Sequence, residues 1–287
     1  MWGHPVTAVA GIRGSIVAVF DPAGAAGVDQ HSTYASDPLG RVQRSNMFFL
    51  QVVFGDTVAA EKIGHWLFNR HQKVNGVVPD SGEPYVANVP ETLLWVYVTG
   101  WHGALECFQR FAPKSERLNA GEIDQFYRES LITADLLGIP PQYVPSDSIE
   151  VQDYLREQGK TLIRPTNEMR RLVEFFLRPP LAPAWPLLAI NPFLKMVTYS
   201  ALSTLPDEWL DLIEVERHRR RWAINDAVVK AALGAAYSSD LLDSFLVLAG
   251  PEAWGYRHNA LRRNSFSEPV PYEFKQGEML QQRRAGG

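Results

Sequence analysis

The sequence predicts an all-α protein: a single, mostly helical domain of about ten helices. Three observations predict it. Apolar residues recur at intervals of three and four through most of the 287 residues, the period of a helix buried on one face. Residues suited to capping helix N-termini, such as Asp37, Asp56, Ser146 and Thr166, stand just ahead of those stretches. The runs dense in Pro, Gly, Asp and Asn fall between the periodic stretches, where they act as connections. A composition of 46% hydrophobic and 21% charged residues is that of an ordinary globular protein, and the length suffices for a sizeable core.

The opening residues, MWGHPVTAVAGIRGSIVAVF, are apolar but broken by His4 and Arg13, and lack the basic start and continuous apolar run of a targeting segment. Asp37 or Pro38 opens a helix through GRVQRSNMFFLQVVFG, and Asp56 caps the next, through TVAAEKIGHWLFNRHQKV. Asn75-Gly76 reads as its stop, with Gly76 in the left-handed conformation that closes a helix. Residues 77–90 are turn-rich, with room for a short hairpin around Tyr85 and Val86. Pro90 suits the first turn of a long helix, ETLLWVYVTGWHGALECFQRF. Further helices are expected over 120–137, 147–158, 166–177, 192–204, 206–221, 222–237 and 239–249. The Pro-rich GIPPQYVPSD and RPPLAPAWP are extended linkers. The longest apolar region, AWPLLAINPFLKMVTYSALS, holds Asn191, Pro192 and Lys195, and reads as a buried helix pair broken near Pro192, not as a membrane span. One domain over residues 1–265 is expected, then a polar tail over 266–287.

A net charge of -4 gives no electrostatic reason to expect nucleic acid as a partner. The single cysteine, Cys107, excludes an intrachain disulfide and a Cys-rich metal site, and fits a reducing, cytoplasmic setting. A homodimer is allowed.

Some residues fit the core pattern and a binding site equally well. Ala60, Ile63, Leu67, His71 and Val74 step by three or four, which puts an ionisable imidazole on the apolar face of a helix. His71 is either a core histidine or a neutral imidazole on a rigid element, which is what an axial haem ligand requires. Arg41, Arg44 and Ser45 share one face, which Phe48 and Val52 continue. Tyr97, Trp101, Leu105 and Phe108 form an aromatic stripe, a packed core or the wall of a flat cofactor pocket. His102, one step off it, reads as surface. Asp29 and His31 are weak candidates for proton transfer, and the arginines of EVERHRRRW read as a solvated face or subunit contact.

Five segments in order, GAAGVDQHSTYASDPLGRVQRS, VVFGD, HQKVNG, YVANVPETLLWVYVTG and LLGIPPQYVP, resemble the family of the latex clearing proteins (rubber oxygenases) and the fungal mycophenolic-acid-pathway oxygenase MpaB. The resemblance implies a helical fold, with globin-like helix packing around haem b held by one proximal histidine. It implies an enzyme that uses O2 to cleave double bonds in hydrophobic, isoprenoid-like substrates. The proximal-histidine position falls on His71, making it the metal ligand. The Arg and Thr beside the haem fall on Arg41 and Ser45, and a lysine position between them falls on Arg44. Arg44 stays protonated, so it cannot cap the iron as a neutral lysine does. Phe48, Leu67, Tyr97 and Trp101 would complete the cofactor pocket, and the second nitrogen of His71 would donate to a carbonyl or carboxylate. Two positions depart from the family: Asp21-Pro22 stands where His-Pro is common, and Tyr97 where a histidine is common. They keep open an alternative, a haem- or lipid-binding protein without oxygenase activity or with peroxidase-like chemistry. A structural protein in which His71 is a core residue is the third reading.

Overall fold

The computed structural model describes residues 1–178, 185–237 and 255–260, with backbone alone at 39 and 185–191. Eleven α-helices dominate these residues: α1 Thr7–Ala18, α2 Pro22–His31, α3 Pro38–Phe54, α4 Thr57–His71, α5 Pro90–Phe111, α6 Ala120–Leu136, α7 Ser148–Thr161, α8 Asn167–Leu177, α9 Trp185–Leu202, α10 Asp207–Leu212 and α11 Arg219–Tyr237. Between α4 and α5 runs one antiparallel hairpin, β1 Asn75–Val77 and β2 Pro84–Val86, with Gly76 opposite Tyr85. The expected all-α class holds, and so does the hairpin.

The caps explain most boundaries. Asp37 accepts from the Gly40 amide, Asp56 from Ala59, and Thr166 from Met169, each satisfying a donor that the first helical turn leaves open. Pro90 occupies the first turn of α5. Gly138, at φ 83, takes the left-handed conformation just past α6, and Ile139 then donates back to Ala134.

α5 is the axis. It contributes Trp95 to one core cluster, Phe108 and Phe111 to a second, and Tyr97, Trp101 and Leu105 to a third. α1 lies along it, and α9 packs on α1. A Cβ on Gly103 of α5 would collide with the guanidinium of Arg13 on α1. Gly64 likewise lets α4 approach α6, since a Cβ there would lie 2.6 Å from the Leu136 carbonyl oxygen. Fully buried side chains such as Trp95, Phe20 and Leu202 each contribute roughly 1.5–3 kcal/mol relative to exposure.

Several expectations change. Residues 7–31 hold two helices that the periodicity did not delineate, and they are core: α1 and α2 bend by 106° and bury Ile16, Val17, Ala25 and Ala26. Among the described residues no single helix is long and apolar enough to cross a membrane. Gly76 is not left-handed; α4 ends earlier, at His71, and Gly76 lies in β1, where a Cβ would meet Gln30 and Tyr85. Asp147, not Ser146, caps α7, because its carboxylate reaches the amides of Ile149 and Glu150 while Ser146 bonds Glu150. Pro192 does not split the apolar region: α9 runs through it, anchored by the buried Val197, Ala201 and Leu202 beyond the proline. The 206–221 stretch is broken instead. Glu214 adopts φ 55 after α10, and Arg217 turns back to pair with Asp207 and Asp211. The expected helix over 239–249, most of the second Pro-rich linker and the 266–287 tail lie outside the described residues.

Candidate functional site

A cavity of about 400 Å³ opens between α2, α3, α4, the hairpin and α5. Arg41, Arg44, Ser45 and Phe48 reach it from α3, Leu67 and His71 from α4, and Tyr97 and Trp101 from α5. These eight are the positions expected to hold the cofactor or act in catalysis, and the fold brings together side chains up to sixty positions apart in sequence. The hydrophobic face read around His71 is the wall of this space: Leu67 and Val74 line it with the imidazole.

The end of α4 is held firmly. Asn88 donates to the Phe68 carbonyl at 2.8 Å, and the Ala87 amide donates to Val74 at 2.9 Å. The hairpin is tied to α2 by Tyr85, whose hydroxyl donates to Gln30 at 2.8 Å. His71 therefore projects from a helix terminus braced on two sides. Burial, with Arg70 adding to it, pushes the imidazole down to about 4, so it is neutral near pH 7. Its ring makes no hydrogen bond to any described residue; the expected carbonyl or carboxylate behind the second nitrogen is not there.

The charges are one-sided. Arg41, Arg44 and Arg70 line the cavity, and no Asp or Glu does among the described residues. Arg44 is committed elsewhere, pairing with Asp37 at 3.2 Å and donating to Thr33 at 2.7 Å, which ties α3 to the loop before it. Arg41 is not so committed. Its Nε donates to the Ser32 hydroxyl at 2.8 Å, but it joins no ion pair with a described residue. Burial, and the neighbouring Arg44, lower its pKa, yet a guanidinium remains charged. A half-buried cation without a counter-ion is costly, and the cost falls when an anion enters.

Tyr97 presents its ring but not its hydroxyl. The hydroxyl donates to Ser130 at 2.7 Å, and Ser130 donates on to the Tyr127 carbonyl. Burial raises its pKa further from the neutral range. Trp101 is packed edge-on against Trp2, centroids 4.4 Å apart, and also against Phe49. Asp21 is buried but serves as the cap of α2, accepting from Ala23 and Gly24 at 3.0 and 3.2 Å. Neither position supplies a proton-transfer group to the cavity.

The other candidates separate cleanly. His31 lines the cavity, with Nε2 3.0 Å from the Asn75 carbonyl oxygen. Asp29 does not; it pairs with Arg171 at 2.8 Å. His102 is not surface. Its Nδ1 lies 2.9 Å from the Tyr127 hydroxyl, and burial, with Arg13 nearby, pushes its pKa down to about 3. Cys107 is fully buried, its thiol pushed up to about 12, and it is no thiolate. The arginines after Val215 pair on the surface, Arg219 with Asp207 and Arg217 with Asp207 and Asp211.

The wall from α2 escaped sequence reading. Gly24, Gly27 and Val28 form it, and the small residues of PAGAAG are its one sequence signal, allowing close approach of another chain or a ligand. Phe49, Trp66 and Arg70 also line the cavity and were not singled out.

Compared with known proteins, the chain matches one family model, described as ER-bound oxygenase mpaB/B'/Rubber oxygenase, catalytic domain, over residues 1–236. No curated protein and no solved structure matches it.

Proposed function

The chain belongs to the mpaB and rubber oxygenase catalytic-domain family, a family of oxygenases, and on that premise we propose that it is a haem b-dependent oxygenase that uses O2 on a hydrophobic, unsaturated or isoprenoid-like substrate. The observation that carries the reading is the cavity itself: a neutral imidazole and a guanidinium that joins no ion pair with a described residue line one largely apolar space.

Three features fit haem. Among the described residues no cluster of three or more His, Cys, Asp or Glu could hold a bare metal ion, so iron at His71 would need to bring its own donors, as haem iron does. Arg41 has a charge to spare for a propionate. The cavity's size falls within the range of small-molecule and cofactor sites, roughly 300–1,000 Å³. His71 would hold the iron through one ring nitrogen, and Arg41 the propionate. Bound haem supplies the redox chemistry that activates O2.

The protein's own part is positioning and exclusion. Phe48, Leu67 and Trp101 present apolar surface to a carbon chain and keep water from the reacting region. Arg41 and the Ser45 hydroxyl are the donors on the α3 side, placed to orient a polar or developing negative atom. Arg44, held by Asp37 and Thr33, shapes the rim.

A second reading rests on Asp21 and Tyr97. With one spent as a helix cap and the other bonded to Ser130, a binding or peroxidase-like protein also accommodates the site. Oxygen consumption against a panel of unsaturated lipids separates the two.

The first test is the absorption spectrum of wild type beside His71→Ala. A Soret band that vanishes or shifts in the variant is the expected result. A band indifferent to the substitution moves the ligand elsewhere. No band after haem is supplied overturns the cofactor assignment.

A further inference from the structure

A second hollow, about 590 Å³, lies between α3 and α4. Arg44 and Trp66 border both this hollow and the inner cavity, so the two spaces are neighbours across that pair of side chains. Its walls are amphipathic. Met47, Val58, Ala59 and Ile63 give apolar surface, and Tyr256, from a helical turn at 255–260, closes one side. Once a cofactor fills the inner cavity, a substrate needs adjoining room, and this hollow is where the fold provides it.

Its charged groups can be sorted by what already holds them. Asp56 is spent on the cap of α4, accepting from the Ala59 amide at 2.8 Å. Arg44 is spent on Asp37 and Thr33. Lys62 is exposed and joins no ion pair with a described residue. Among the described residues one ammonium remains for a ligand, beside the apolar wall of Met47, Val58, Ala59 and Ile63.

We propose that this hollow binds a linear amphiphile, with Lys62 recognising a single carboxylate and the apolar chain lying along Met47, Val58 and Ile63 toward Trp66 at the border with the inner cavity. The inference rests on the oxygenase reading for the purpose of the inner cavity, and it makes the substrate an unsaturated monocarboxylic acid, not a neutral hydrocarbon. A single lysine matches a monoanion; a phosphate, carrying about two charges, would call for a denser set of donors.

The test is binding of oleic acid, methyl oleate and oleyl alcohol, each below its micelle concentration, to the full chain by calorimetry. Lys62→Gln is expected to weaken oleic acid about fivefold, the reach of one exposed ion pair, and to leave the ester and alcohol unchanged. Val58→Asp, at a side chain 72% exposed and so cheap to alter, is expected to weaken the acid more than the ester by repulsion. Equal binding of acid and ester by wild type, or an acid affinity indifferent to Lys62→Gln, overturns the proposal. The absorption spectrum of the same wild-type sample, after haem is supplied, separates this from the cofactor assignment. Lys62-dependent acid binding by a wild type with no Soret band keeps the amphiphile site and sinks the haem reading; a wild-type Soret band that is lost in His71→Ala, with Lys62-independent acid binding, does the reverse.

Discussion

Two arginines show how differently this chain treats the same residue. Arg13, on α1, is 3% exposed and enclosed. It donates from Nε to Thr204 at 2.9 Å and from Nη1 to the Thr99 carbonyl at 3.5 Å, and Gly103 has no side chain because the guanidinium occupies that place. Arg41, on α3, also gives its Nε to a hydroxyl, but the space in front of it is a cavity. The protein is filled around the first and hollow around the second. A buried charge whose neighbours close over it holds helices together; Arg41, which like Arg13 joins no ion pair with a described residue, instead has open space in front of it.

The largest expected effect breaks the comparison on its closed side. Arg13→Ala leaves a cavity and strips partners from Thr204 and the Thr99 carbonyl, and is expected to cost about 3–5 kcal/mol in urea unfolding. Arg41→Ala is expected to change stability by less than about 1 kcal/mol while lowering haem affinity at least about tenfold. Similar stability losses for the two would erase the distinction.

A smaller effect sharpens it through pH. His102 belongs to the closed side, bonded to Tyr127 and facing Arg13. Its pKa is held at about 3 in the fold against about 6.5 in the unfolded chain, so below pH 6.5 only the unfolded state takes up the proton. The stability it contributes is complete above pH 6.5 and is lost as pH falls toward 3, up to about 2 kcal/mol by pH 5. His102→Gln should flatten that part of the profile, measured as the difference in unfolding free energy between pH 7 and pH 5. The smallest effect probes the border between the regions. Tyr97→Phe removes the bond to Ser130 and is expected to cost about 1 kcal/mol, with the Soret band unmoved because the hydroxyl points away from the cavity.

The helices were legible where capping chemistry is local. Asp37, Asp56, Thr166 and Pro90 announce their helices within a few residues, and the structure agrees. α1 and α2 carried no such contrast. GIRGSIVAVFDPAGAAG is small or apolar on every side, because these helices are enclosed all round, and a buried helix shows no polar face to count against. His102 was misread for the same reason: α5 is buried on several faces, so one step off its stripe is still inside. At the cavity, Leu67, His71 and Trp101 could be read from spacing, and Arg41, Arg44 and Ser45 acquire roles through family resemblance. Phe49, Trp66 and the α2 wall became visible only when separate helices converged.

The Arg13–Thr204 bond spans 191 residues of chain. The cavity is local by contrast: among the described residues its lining runs from Ala18 to Trp101, with Leu137 the one later contributor. On a chain emerging from its N-terminus, nearly every group that faces the cavity is therefore synthesised a full hundred residues before Thr204 appears to close the α1–α9 junction. The cavity's walls and the α5 axis are thus made together, and the order of synthesis leaves an interval in which they exist without the α9 side that later packs on α1.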